Sequence, residues 1–117
     1  MDTSHFKNVL LAEQKDLEVE LTEIARFNTE TNMWEATPDT DMVNETDDND
    51  AADRFEDFEE RTSMVTTLQA RLTDIEAAIK KIDANAFGIC EIGGEAIEKE
   101  RLDANPAART CKAHINN

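Results

Sequence analysis

From Asp48 to Asp83 the chain runs for 36 residues without a Gly or a Pro. Within that run Val65, Leu68, Leu72, Ile75, Ile79 and Ile82 recur at alternating steps of three and four, the seam by which one helix packs lengthwise on another. Phe55 and Phe58 extend the apolar stripe towards the N-terminus. A helix of this length measures about 54 Å. It cannot bury its stripe alone, so a partner helix is required.

The partner lies upstream. Thr3 or Ser4 can cap a helix whose face carries Phe6, Leu10, Leu17, Leu21 and Ile24, predicted to end near Arg26 or Asn28. Laid antiparallel on the long helix, it sets Leu10 against Ile79, Leu17 against Leu72, Leu21 against Leu68 and Ile24 against Val65, all apolar pairs. From Asn28 to Thr46 the helical period is lost and Pro38, Asn, Asp and Thr dominate, which reads as a connection. The same register brings Trp34 near Phe55, where it either glues the loop to the rod or contacts a partner. Asn85 is placed to close the long helix in a left-handed conformation, and Asn105-Pro106 reads as the cap and first residue of a short helix carrying Cys111 and His114.

The fold class expected is therefore mainly α: a long antiparallel two-helix coiled coil with a small C-terminal zinc-finger-like unit ending in a short helix. The hairpin takes residues 1–86, with an acidic connecting loop over about 28–47, and the finger-like unit takes 87–117.

Charge narrows the function. The net charge is −15, and residues 30–60 hold 13 acids against one base, Arg54. Such a field repels a phosphate backbone and suits a basic protein surface. The segment from Cys90 to His114 has five acids against four bases and offers no recognition helix, so direct DNA binding is not expected. There is no run of about 18 apolar residues to span a membrane. The N-terminus lacks a signal-peptide pattern, which predicts a cytoplasmic protein with Cys90 and Cys111 as thiols or metal ligands. No enzyme is expected: the histidines are His5 and His114, Tyr is absent, and neither a nucleophile–base set nor a Gly-rich phosphate loop occurs.

The spacing Cys90-x2-Gly93-x17-Cys111-x2-His114 has the form of two zinc knuckles, but Gly93 offers no side chain. Three ligands remain: Cys90, Cys111 and His114. The alternative is that no metal binds and that Phe87, Ile89, Ile92, Ile97 and Leu102 pack a small core unaided.

These residues carry a resemblance. Phe87-Gly88-Ile89-Cys90-Glu91, then Ile97, then Arg101-Leu102-Asp103-Ala104-Asn105-Pro106-Ala107 and Cys111 resemble the C-terminal zinc-finger signature of the TraR/DksA family over about residues 79–114. The resemblance implies an antiparallel coiled coil that enters the secondary channel of RNA polymerase, acidic tip residues acting near the active site, and regulation of initiation without DNA binding. The family's tip pattern falls on Asp47, Asp50 and Ala52. Gly93 and His114 stand where the common version has Cys. The positions matching the family's basic contacts to guanosine tetraphosphate are Asp74 and Asn105, so a weak or absent nucleotide response is expected. The chain also ends at Asn117, where longer members continue into a further helix. Two other readings stay open: an acidic coiled-coil adaptor for another basic protein, and a transcript-cleavage or anti-arrest factor at the same channel.

Overall fold

The computed structural model describes residues 2–38 and 48–115, the side chains of residues 48–51 excepted. The chain is mainly helical, with one small two-stranded sheet. In order it forms α1 (Ser4–Ile24), β1 (Ala25–Asn28), β2 (Met33–Ala36), α2 (Asp48–Asp83), α3 (Lys99–Ala104) and a 3₁₀ turn, Lys112–His114. It divides into two compact units, one built from Met1–Asp16 with Arg71–Asn117, the other from Leu17–Ala70.

In the first unit Phe6 and Leu10 of α1 are buried, as are Leu72, Ile75, Ala78 and Ile82 of α2. The two segments run in opposite senses. Lys7 Nζ meets Asp83 Oδ1 at 2.7 Å, and Arg71 grips both carboxylate oxygens of Glu13 at 2.9 Å. The expected stripe is thus largely inside, except that Ala78 is buried at the C-terminal end where Ile79 stays partly exposed. The start of α1 differs from expectation in detail. Asp2 Oδ1 accepts the Ser4 backbone N–H at 3.0 Å, so a carboxylate meets the free amides of the first turn instead of a hydroxyl of Thr3 or Ser4.

α2 stops as the sequence predicts. Asn85 takes φ 59°, Asn85 N–H donates to Ile82 O at 3.1 Å and Ala86 N–H donates to Lys81 O at 2.8 Å, the paired bonds of a Schellman closure. Phe87 then packs its ring 5.3 Å from that of Phe6. The short helix, however, precedes Asn105 instead of following it. α3 ends at Ala104 with Leu102 fully enclosed. Asn105 Oδ1 accepts from Ala107 N–H at 3.2 Å and from Arg71 Nη1 at 2.8 Å, so Asn105 caps a turn and anchors it to α2.

The second unit overturns the reading of residues 25–36 as a helix end and a loop. α1 gives way at Ile24, and β1 pairs antiparallel with β2, with Ala25 opposite Ala36 and Phe27 opposite Trp34. Asn28 Oδ1 accepts from the backbone N–H of Glu30 at 2.9 Å, and Asn32 adopts φ 58°; together they close the turn. The Phe27 and Trp34 rings lie 5.5 Å apart, a cross-strand aromatic pair. Trp34 does not stand beside Phe55. Its backbone N–H donates to Gln69 Oε1 at 3.0 Å, about four helical turns further along α2, and Arg61 Nη1 donates to Thr37 O at 3.3 Å. Leu17, Leu21, Ala25 and Val65 are buried here, whereas Phe55 is 64% exposed and Phe58 38%, so the N-terminal extension of the stripe is not covered.

Candidate metal centre

The first unit gathers its reactive side chains at one place. Cys90 follows Gly88, whose φ of 83° turns the chain after α2. Ile89 then bridges Ala96, Ile97 N–H donates to Gly88 O at 2.7 Å, and Cys90 N–H donates to Glu95 O at 2.8 Å. Within that narrow loop Gly94 N–H donates to Cys90 O at 3.0 Å and Gly93 N–H points at Cys90 Sγ at 3.5 Å. The loop is the half-knuckle expected from the spacing. Glu91 N–H donates to Arg109 O at 2.9 Å, drawing in the segment that carries Cys111, and the 3₁₀ turn places His114 one turn beyond it.

All three predicted ligands meet, and a fourth donor joins them. Cys90, Glu95, Cys111 and His114 each offer an atom, and these atoms lie within 4.8 Å of one another. His114 Nδ1 is 3.1 Å from Cys111 Sγ and 3.5 Å from Cys90 Sγ. Glu95 Oε1 is 2.8 Å from both Cys111 Sγ and His114 Nδ1. The donors of a tetrahedral zinc stand about 3.3–3.8 Å apart, given the usual bond lengths, and thiolate, imidazole and carboxylate are its ordinary ligands. The four donors are of the types zinc takes and lie close enough together to bind a metal, most of them somewhat nearer one another than a bound ion would set them. Sequence spacing missed Glu95 because a knuckle is counted at two intervening residues; the visible signal was the pair Gly93-Gly94 directly before an acid.

Without a metal these groups share protons. Burial pushes the Cys90 thiol up, but hydrogen bonds from the backbone of Gly93, Cys111 and Ile92 outweigh it and bring the group down to about 7. Cys111, hydrogen-bonded to the Glu95 carboxylate and buried, is pushed up to about 11. The contact with Cys90 and the charge of Glu95 raise His114, and the Cys111 contact lowers Glu95. Cys90 and Cys111 are both free. A divalent cation would take the place of the shared protons, so its binding would release them.

Of the other predicted site residues, Asp47 is outside the described residues; Asp50 belongs to α2, and Ala52 is exposed near the start of that helix. Asp74 receives Arg109 Nη1 at 3.2 Å, and Arg109 Nε also reaches Glu91 Oε2 at 2.9 Å. Among the described residues, no helix is long and apolar enough to cross a membrane.

No family model matches the chain. It is 34% identical over 71 residues, 61% of its length, to the RNA polymerase-binding transcription factor DksA of Haemophilus influenzae. It is also 49% identical over 39 residues to the uncharacterized protein YteA of Bacillus subtilis. These matches span 49% of DksA and 16% of YteA. In three dimensions it is similar to transcription factor DksA2 from Pseudomonas aeruginosa, with a TM-score of 0.71 and 22% identity over 93% of this chain and 76% of that one. The chain is thus similar in sequence to about half of a DksA and shares the fold of DksA2.

Proposed function

We propose that the protein is a cytoplasmic transcription regulator that binds RNA polymerase, entering the secondary channel with the acidic N-terminal end of α2 and acting near the active site without contacting DNA. In this reading residues 1–86 serve as the helical hairpin and 87–117 as the finger that zinc braces through Cys90, Cys111 and His114. Asp47, Asp50 and Ala52 form the working tip. The observation that carries the proposal is the sequence match to an RNA polymerase-binding DksA. The concentration of acids around the start of α2 supports it, because carboxylates at a helix N-terminus are favoured by the helix dipole and suit a cavity of basic side chains and magnesium. The response to guanosine tetraphosphate is weak or absent in this reading: Asp74 is already paired with Arg109, and Asn105 is held by Arg71.

The test is a pull-down with RNA polymerase, its secondary channel blocked or open, followed by initiation assays. Binding is expected only with the channel open, and D47N with D50N is expected to bind yet lose regulation. Regulation unchanged in that double variant would remove the tip from the mechanism. A second reading, an acidic adaptor for a different basic protein, draws support from the exposed Phe55 and Phe58 among acids on α2. Crosslinking in lysate separates the two by whether polymerase or another protein is recovered.

A further inference from the structure

We infer that Glu95 is the fourth ligand of the zinc site, occupying the coordination position that a side chain at residue 93 would otherwise hold. The inference rests on the proposal that zinc sits among Cys90, Cys111 and His114, and adds which residue completes the set and why the chain tolerates Gly93. A Cβ built on Gly93 would meet the Glu95 carboxylate, with Oε1 at 2.6 Å, Cδ at 2.7 Å and Oε2 closer still. The carboxylate thus fills the space where a cysteine at 93 would begin. It reaches there from two residues on because Gly94, at φ 77°, reverses the chain, while the Cys90 N–H to Glu95 O bond at 2.8 Å holds the return strand against Cys90. The longer Glu side chain spans the remaining gap, bringing Oε1 to 2.8 Å from two of the other donors.

The charge balance is that of the same site with a cysteine at 93. Two thiolates, one carboxylate and a neutral imidazole carry the same negative charge as three thiolates and an imidazole. What changes is the donor. A carboxylate is harder than a thiolate and holds zinc less strongly, so this centre exchanges metal more readily than a three-cysteine version. Gly93 and Glu95 form a compensating pair, since neither a non-ligating side chain at 93 nor loss of Glu95 with Gly93 in place leaves four donors in this arrangement. Among the described residues, Gly93 is not one of the positions with positive φ, so its backbone accepts a cysteine.

The experiment uses the full chain as wild type, E95A, E95Q, G93C and the double variant G93C/E95A. Zinc content is measured by metal analysis, affinity by competition with a chromophoric chelator, donor type by the absorption of the cobalt-substituted protein, and helix content by circular dichroism. Wild type is expected to bind one zinc. E95A and the isosteric E95Q are expected to keep their helix content and bind zinc at least about 10- to 100-fold more weakly, since even outer-shell partners contribute that much. G93C/E95A is expected to recover wild-type affinity or better, with stronger thiolate-to-cobalt bands than wild type. Undiminished affinity in both Glu95 variants, with zinc still bound in wild type, overturns the role of Glu95 alone. No zinc in wild type overturns the metal proposal and this inference together.

Discussion

Leu102 shows how much of the first unit rests on single side chains. It is fully enclosed in a unit with few large apolar groups besides Ile97 and the α1 and α2 faces. Truncation to Ala removes its burial and leaves a cavity that a small core cannot easily close, so Leu102→Ala is expected to cost about 2–5 kcal/mol by denaturant titration. Glu91 carries the pH dependence at this scale. Hydrogen bonds from Arg109 and then Lys81 hold its carboxyl below the ordinary value of 4.5. A depressed carboxylate contributes stability that is fully present above its unfolded value and is lost as pH falls from about 4.5 through the lower folded value. Thermal melts of the wild type should therefore show a loss in that acid window, and Glu91→Gln should flatten it. The sequence named Asn105 as a capping residue, and its side chain does cap; it closes a turn after α3 because the next backbone N–H it meets belongs to a turn fixed to α2 through Arg71. Chemistry of that kind is legible in one residue, but the element it serves is not.

Among the elements, the long helix was the most readable and its ends follow local rules. Asn85 supplies the positive φ that closes α2. Asn85→Ala is expected to destabilise by about 1 kcal/mol, while Asn85→Gly stays near neutral, because only the former penalises the left-handed backbone; melting temperatures of the two variants check this. The β-hairpin was not readable from periodicity. Ala25–Asn28 continues a helical pattern by composition and is extended only because Phe27 finds Trp34 across the turn and Gln69 takes the Trp34 amide. Gln69 lies far along the sequence from Trp34, so no local window contains that partner. Phe55 and Phe58 likewise extend a stripe on paper yet stay exposed, because a stripe is buried only where another element packs on it.

For the molecule as a whole, a net charge of −15 with its acids concentrated in residues 30–60 makes association with a basic partner depend on ionic strength. If the proposed function holds, binding to RNA polymerase weakens steadily as salt rises from about 0.05 M to 0.3 M, where the Debye length shortens to several ångströms. Salt-independent binding measured over that range would point to an apolar interface instead. What the amino-acid order determined alone is whatever repeats at short range: the helical stripes, the Gly-free run of α2, its Asn85 closure, the half-knuckle at Cys90 and the acidic bias. What only the tertiary structure decided is which distant groups complete each local motif: Trp34 on Gln69, Asn105 on Arg71, and Glu95 beside Cys111 and His114. The physical reason is that a hydrogen bond or a metal donor set is satisfied by proximity in space, and the chain brings such groups together only after its backbone has turned.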